Sequence, residues 1–507
     1  MRLANLEQCR ALDTKAQSEF GLSGEILMEG AGSAAALHIL GNYPIETANG
    51  RVTIVCGPGH NGGDGLVVAR WLACRGMKDV RVLLAVPASE MKALTVLQHQ
   101  RLKRLGVVTE VWDRKVHSTV IEKSGLLVDA LLGIGIARPV SGAMADLIGV
   151  LNRAAVPVVS LDIPSGLNGD TGWAMGACVR AHQTLTFGPA KPGFFLREGP
   201  KYAGRVKAFP ISFPSELVRE IATTHFLLSA DWVRRNLPKR TNFSNKSNHG
   251  RVVICAGSDG KVGAAFMAGE AAFRVGAGYV VLASFDGGLK GVSERPEIMT
   301  EDLAKHTPDS RYAYCVGPGL GTDASTNEII RKLHDANAQN VVLDADALTV
   351  LAQDKKLKIH SGWILTPHSG ELARLLGSTA EEIEKDPIAS ARAAAKKYQC
   401  AVLLKGFHSV LVQGEKAIII PTGNSSLAKA GTGDVLTGMI GGFMAQGLNA
   451  VRATAMASFL HGLAADQWLK SGADRRSLLA MDICTALPNL LKNVSQGHAA
   501  LPTWATL

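Results

Sequence analysis

The strongest constraint on the fold of this 507-residue chain is a recurring local pattern. A short run of apolar residues ends in a turn rich in glycine or aspartate, and an amphipathic stretch follows. In a first block RVTIVC (from Arg51), VRVLLAV (from Val80), GLLVDALLG (from Gly125) and VPVVSLD (from Val156) alternate with stretches such as GLVVARWLACRG and VSGAMADLIGVLNRA. Runs that are apolar on both faces of a strand must be covered on both sides, which predicts a parallel sheet between helices. The pattern fades at AFPISFPSELV, where Pro210 and Pro214 interrupt it.

It resumes near His225. RVVICAG (from Arg251), YVVLAS (from Tyr279), YAYCVG (from Tyr312), NVVLDAD (from Asn340), AVLLKG (from Ala401), SVLVQ (from Ser409) and KAIII (from Lys416) read as strands. GAAFMAGEAAFRVGAG and the long VLTGMIGGFMAQGLNAVRATAMASFLHGLAADQWL read as helical. Each block is long enough for its own core. Two α/β domains are therefore expected, residues 1–217 and 226–500, where length alone would suggest about three.

Composition narrows the function. The chain has 54 glycines, against about 35 expected at ordinary usage. The surplus invites the question of where it sits. At 47% apolar residues the chain is neither disordered nor fibrous. The net charge of +10 is not concentrated in a tail or stripe, and the basic stretch at residues 234–246 reads as a solvated linker face, so no nucleic-acid partner is expected. The eight cysteines show no CxxC or zinc-like spacing, and several sit inside strand-like runs, as small buried side chains of a reducing compartment do. No stretch approaches the roughly 18 apolar residues of a membrane span and the start lacks a signal-peptide core, so the cytoplasm is the expected location, with no membrane partner.

The first glycine-rich turn, GPGHNGGDG at residues 57–65, formally satisfies GxGxxG through Gly57, Gly59 and Gly62. The acidic residue that should close the next strand is missing, since no Asp or Glu follows VRVLLAV until Glu90. A plain dinucleotide-binding site is thus disfavoured. The turn still aims backbone amides at an anion from a helix N-terminus, with Asn61 and Asp64 beside it. DALLGIG (129–135) and LDIPSGLNGD (161–170) follow later strands of the same sheet. Ligands of open α/β sheets bind at the carboxyl ends of strands, so Asp64, Asp129, Asp162 and Ser165 are expected to converge on one pocket. Any one of these aspartates could instead cap a helix. Lys191, in FGPAKPG, adds a possible cation near the same edge, although a surface lysine is the default reading.

In the second block AKAGTGDVLTGMIGG (428–442) opens a helix. The amides of Gly431, Thr432 and Gly433 would form an anion hole, with Asp434 in the first turn placed to accept a proton from a substrate hydroxyl. No GxxxxGK[ST] occurs, which excludes P-loop chemistry. LTPHSGEL carries His368 and Glu371, KGFHS carries Lys405, and VGPGLG and GSDGKVGAA are further close-approach turns.

GPGHNGGDG, DALLGIG, LDIPSG and FGPAKPG, in that order, resemble the NAD(P)H-hydrate epimerase family over most of residues 1–217. The resemblance implies a Rossmann-like, doubly wound domain. It implies that His60, Asn61, Gly62, Gly63 and Asp64, with Gly133, Ile134, Gly135, Ile136, Ala137, Arg138 and Pro139, hold a hydrated nicotinamide nucleotide. It places K+ at Asn61, Asp129 and Ser165, and makes Asp162 a substrate-binding residue suited to moving protons at the epimerised centre. His60 stands where the family usually has Asn.

AGTGD is the phosphoryl-transfer signature of ribokinase-like folds. With SNKSNHGRV near Asn245, the second block resembles the NAD(P)H-hydrate dehydratase family over roughly residues 226–500. The resemblance implies that Ala264, Gly319, His368 and Asp434 contact the hydrated dinucleotide. It implies that Lys405, Gly406, Phe407, His408 and Ser409, and Asn424, Ser425, Ser426, Leu427, Ala428, Lys429, Ala430, Gly431, Thr432 and Gly433, bind ADP with Mg2+. Ser follows His368 where Pro is common, and SNKS replaces SNKG. A fusion of the two would interconvert R and S hydrates of NADH or NADPH and dehydrate the S form, releasing AMP and phosphate. The expected partners are small molecules and further copies of the chain, as a homo-oligomer. The competing expectation is a ribokinase-like vitamin or sugar kinase fused to a binding or scaffold domain.

Overall fold

The structure, a computed structural model, describes residues 1–43, 50–136, 138–285, 289 and 295–498. Strands β1 (Arg51–Cys56), β2 (Val80–Leu84), β3 (Val108–Val111), β4 (Ser124–Ala130), β5 (Val158–Leu161), β6 (Gln183–Phe187) and β7 (Arg205–Phe209) form one sheet. Its order is β3-β2-β1-β4-β5-β6-β7, and every pairing is parallel. This is the doubly wound order, and it reverses between β1 and β4, where such sheets open a ligand crevice. Inward residues of the sheet meet helices Gly24–Asn42 and His60–Cys74, whose Ala35, Ala36, Ile39, Leu66, Val68 and Leu72 are fully buried.

The second sheet contains β8 (Arg251–Cys255), β9 (Tyr279–Ser284), β10 (Met299–Asp302), β11 (Ala313–Val316), β12 (Asn340–Leu343), β13 (Ile364–Leu365), β14 (Ala401–Leu404), β15 (Val410–Gln413) and β16 (Lys416–Ile419). These follow the order β16-β15-β14-β13-β12-β11-β8-β9-β10, parallel from β14 to β10, with the β14-β15-β16 meander antiparallel. The described chain divides into two compact units, one spanning Arg2–His225 and one containing residues 226–498. Among the described residues no helix is long and apolar enough to cross a membrane.

The expected long C-terminal helix is two helices, Thr432–Ala445 and Ala450–Lys470. Between them Gly447 takes φ +91°, a left-handed conformation that ends the first. The same region shows that part of the glycine surplus serves helix packing rather than turns. Gly438, Gly441 and Gly442 lie inside the first helix. A Cβ on Gly438 would stand 2.0 Å from the Ala268 carbonyl oxygen, and one on Gly441 would stand 2.3 Å from Cys315 Sγ. These glycines let the helix Thr432–Ala445 press against the helix Val262–Arg274 and the sheet.

Candidate active sites

In the first unit a cleft of about 1390 Å³ opens where the strand order reverses. Gly57 ends β1 against β4, since a Cβ there would stand 1.8 Å from the Leu131 carbonyl oxygen, and one on Gly62 would stand 1.9 Å from the Gly57 oxygen. Those two glycines set the tight strand-to-helix turn, while Gly59 faces open space. The helix His60–Cys74 therefore starts at the cleft, with its first-turn amides unpaired within the helix.

His60, Asn61, Asp64, Gly133, Ile134, Gly135, Ile136, Arg138, Pro139 and Asp162 all line the cleft. Ala137 lies outside the described residues. Gly62 and Gly63 do not line it: Gly63 packs against Met28, where a Cβ would approach Cε to 2.5 Å. Asp129 and Ser165, expected in the pocket, are instead fully buried behind it. Ser165 donates to Asp129 Oδ1 from its hydroxyl at 2.6 Å and to Oδ2 from its amide at 2.9 Å, and Ser160 Oγ donates to Oδ2 at 2.7 Å. Burial pushes the Asp129 carboxyl up, against these hydrogen bonds, which pull it down. Asn61 Nδ2 donates to the Leu132 carbonyl at 3.0 Å, and its buried Oδ1 has no partner among the described residues.

Asp162 follows β5 in a left-handed conformation, φ +60°. Its Oδ1 accepts from Lys191 Nζ at 2.5 Å, and Lys191 also donates to Thr186 Oγ1 at 2.6 Å. Of the two readings of Lys191, the cation at this edge holds and the default surface lysine does not: its side chain is 1% exposed. Burial pulls the ammonium down, but Asp162 above all, then Cys9 and Asp13, outweigh it and leave the net shift upward. Sequence reasoning also missed Asp13, on the helix Leu6–Phe20, which lines the same cleft. Burial and then the Asp162 carboxylate raise Asp13 to about 6, against Lys191. Asp64 is raised well above the usual carboxylate range, first by burial and then by Asp162 and Asp13. Only the LEQCRALD pattern, a buried helix face with one acid on its border, could have marked Asp13.

In the second unit the functional side chains gather at the carboxyl ends of β12 and β14. Asp344, 2% exposed, accepts from Lys405 Nζ at 2.7 Å on Oδ1 and from Thr437 Oγ1 at 2.7 Å on Oδ2. Lys405 also lies 3.8 Å from Glu371. Burial lowers the Lys405 ammonium, while Asp344, Glu371 and Asp434 raise it by more. Asp434 sits in the first turn of the helix Thr432–Ala445. Burial, followed by Asp344, lifts its carboxyl to about 6, with Lys405 opposing and Asp346 adding. His461, held down to about 4 chiefly by burial, donates from Nε2 to the Thr432 carbonyl at 2.9 Å and fixes the turn below Asp434. Asp344, Thr437 and His461 were missed, because nothing in an apolar strand or helix pattern marks a polar side chain as internal.

His368 accepts from the Gly370 amide at 3.0 Å, and Glu371 accepts from the His368 amide at 2.8 Å, so the pair caps the helix Ser369–Leu376. The His368 ring stays 56% exposed beside Lys405, whose amide bonds the Pro367 carbonyl. Ala264 and Gly319 are neighbours, a Gly319 Cβ falling 3.3 Å from that of Ala264. Of the expected nucleotide segments, Gly406, Phe407, Ser425, Ala428 and Ala430 are exposed, and Lys405, Ser409, Leu427, Lys429, Gly431 and Gly433 half-buried. His408, Asn424, Ser426 and Thr432 are buried. Asn424 is tied to Asp466 at 2.9 Å and shapes its loop from inside. Thr432 Oγ1 donates to the Leu427 and Lys429 carbonyls.

Family models match both units. Residues 252–489 match NAD(P)H-hydrate dehydratase and residues 24–193 match the YjeF-related protein N-terminus. The bifunctional NAD(P)H-hydrate repair enzyme of Moorella thermoacetica is 36% identical over 98% of this chain and 98% of its own. The chain belongs to the bifunctional NAD(P)H-hydrate repair enzyme family. It is an enzyme with an N-terminal epimerase domain and a C-terminal dehydratase domain. The family's Escherichia coli member is 33% identical over 96% of this chain and 93% of its own. The ADP/ATP-dependent NAD(P)H-hydrate dehydratase of Bacillus subtilis, co-crystallised with ATP/Mg2+, is 32% identical, with TM-score 0.50 over 54% of this chain and 99% of that one. A vitamin or sugar kinase fused to a scaffold is not favoured beside full-length repair-enzyme relatives.

Proposed function

We propose that residues 226–500 dehydrate the S hydrate of NADH or NADPH at the expense of ADP, with Asp434 as the general base. The observation that carries this is a carboxyl held near 6 in the first turn of a helix, facing the Lys405 ammonium. A base with that affinity is mostly ionised at neutral pH yet basic enough to take a hydroxyl proton. The hydrate oxygen then attacks a nucleotide phosphate that the amides of Gly431, Thr432 and Gly433 and the Lys405 ammonium hold and neutralise. AMP leaves, and the hydrate carries the phosphoryl group. The ring nitrogen then pushes phosphate out, and loss of the neighbouring proton restores the reduced nicotinamide. Water is a poor leaving group and phosphate a good one, which is why a nucleotide is consumed.

Among the described residues no cluster of three His, Cys, Asp or Glu forms a metal cage. That fits Mg2+ carried on the nucleotide phosphates, where it supplies positive charge, with Glu371 the nearest carboxylate to Lys405 after Asp344.

Residues 1–217 are taken as the epimerase domain, with the hydrated nucleotide in the cleft of β1 and β4 and Asp162 moving protons. The oxygen set of Asn61, Asp129 and Ser165 fits K+: Asn61 Oδ1 is buried without a partner among the described residues, and the hydrogen bonds to the buried Asp129 all come from neutral groups. The cation would supply compensating charge behind the cleft. We further take the protein to be a cytoplasmic homo-oligomer, tested by light scattering and by cell fractionation.

The deciding experiment incubates the protein with purified S hydrate and ADP and follows reduced-nicotinamide absorbance. Recovery should be fast for the wild type and at least about a hundredfold slower for Asp434→Asn, with R-to-S interconversion retained. Equal rates would remove Asp434 as the base.

A further inference from the structure

We propose that Asp13 is the second proton-transferring group of the epimerase site, working opposite in charge to Asp162. This rests on the epimerase reading above and assigns the half of the reaction which that reading leaves without a residue.

Inverting the hydrated carbon demands two proton transfers. The carbon carries the hydroxyl and is bonded to the ring nitrogen. For the hydroxyl to depart as water, an acid must give it a proton as the C–O bond breaks and the nitrogen lone pair forms C=N+. For water to return on the other face, a base must accept a proton as the new C–O bond forms and the C=N+ electrons go back to nitrogen. One water leaves, one adds, and one proton passes from acid to base. In the return direction the two groups exchange roles.

The cleft contains three carboxylates, Asp13, Asp64 and Asp162, and one buried ammonium, Lys191. Three neighbouring carboxylates facing a single buried cation do not all stay ionised together. Lys191 is committed to Asp162, through a 2.5 Å hydrogen bond, and to Thr186. Asp162 is therefore the ion-paired member and fits the base. Asp13 comes from a different wall, the helix Leu6–Phe20, and its side chain makes no hydrogen bond among the described residues. Burial and the Asp162 charge hold it up to about 6, which keeps a proton available in the range where an acid is needed. Asp64 lies past the first turn of the helix His60–Cys74 and is raised by burial and then by Asp162 and Asp13. Asp13 makes no ion pair among the described residues, Lys191 acting on it only at longer range, and nothing in the packing of its own helix requires an acid there: the buried face is Cys9, Leu12 and Ala16.

The test uses the full-length protein and pure R hydrate, with the epimer ratio read by chromatography. The wild type must first interconvert the epimers; if it does not, the epimerase reading itself fails. Given that activity, Asp13→Asn should lower kcat for R-to-S conversion about 10²–10³-fold. KM should change less than about threefold, dehydration of S hydrate should be unaffected, and Asp13→Glu should recover at least about a tenth of the lost rate. A structural role would instead raise KM or lower the unfolding midpoint, with no rescue by Glu. Wild-type kcat in Asp13→Asn, or loss through KM alone, overturns the assignment.

Discussion

Asp344→Asn tests the electrostatics of the dehydratase site most directly, because the substitution keeps the shape and removes the charge. In the native structure one carboxylate oxygen accepts from Lys405 and the other from Thr437, both at 2.7 Å. An amide can accept at one of these positions only; its NH2 then faces a donor. Removing one member of a buried ion pair costs about 3–5 kcal/mol. Here Lys405 keeps Glu371 at 3.8 Å and retains some solvent access, which places the loss nearer about 2–3 kcal/mol, roughly 5–10 °C in the melting of that unit. The kinetic consequence is more specific. Asp344 is the largest charge raising Asp434, and a Lys405 freed from it turns toward Asp434, so both changes lower the affinity of the base for its proton. The wild-type acid limb of kcat/KM falls as pH drops through about 6. In the variant that limb moves to lower pH. A shift of about one unit raises the rate at pH 5 from about a tenth of the plateau to about half. The assay is S-hydrate dehydration with saturating ADP from about pH 4.5 to 8. An acid limb that stays put or moves to higher pH would falsify the claim that Asp344 tunes Asp434.

Four further perturbations act on the epimerase unit. Lys191→Met leaves the Asp162 carboxylate buried without its cation and should cost about 3 kcal/mol in the unfolding of that unit while R-hydrate repair stalls; unchanged melting and repair would contradict the buried ion pair. Gly62→Ala drives a methyl to within 1.9 Å of a backbone oxygen and should destabilise the unit by about 2–3 kcal/mol in urea titrations. Gly59→Ala, whose methyl enters open space, should unfold like the wild type, so matching midpoints for the two variants would count against the turn geometry. Exchanging K+ for Li+ at constant ionic strength should lower the unfolding midpoint of the wild type but not of Asn61→Leu, and an equal response of both proteins would rule out Asn61 as a ligand.

The strands that the sequence made legible are those with neighbours on both sides, such as Arg51–Cys56 and Arg251–Cys255, buried along almost their whole length. Val108–Val111 and Met299–Asp302 escaped because they are edges of their sheets: one side pairs, the rest meets solvent, and VTEV and MTED carry no apolar run. Gln183–Phe187 was hidden differently. Its buried positions include Thr184 and Thr186, polar residues that satisfy themselves internally, Thr184 through the Ala203 carbonyl at 2.7 Å. The helical stretch before Lys470 looked continuous because its interruption is short, the residues between Ala445 and Ala450, turned by one left-handed glycine, Gly447.

A similar asymmetry explains which site residues could be read. Asp162 and Asp434 stand directly after a strand or at a helix start, where chain geometry alone aims a side chain at the ligand edge of the sheet. Lys191, Asp13 and Asp344 owe their character to partners far away in sequence: Lys191 to Asp162, Asp13 to both, and Asp344 to Lys405 and Thr437. A lysine in a loop has the same local sequence whether it is solvated or buried against a carboxylate; only the fold supplies the second charge. The two units reach this arrangement independently, each pairing one lysine, buried for Lys191 and half-buried for Lys405, with one acid and leaving a neighbouring acid raised to about 6. The lysine pairs with one carboxylate, and the charge of that carboxylate opposes proton loss from the neighbour. Each unit thereby obtains an acid or base poised near neutrality from groups whose ordinary affinities lie far on either side of it.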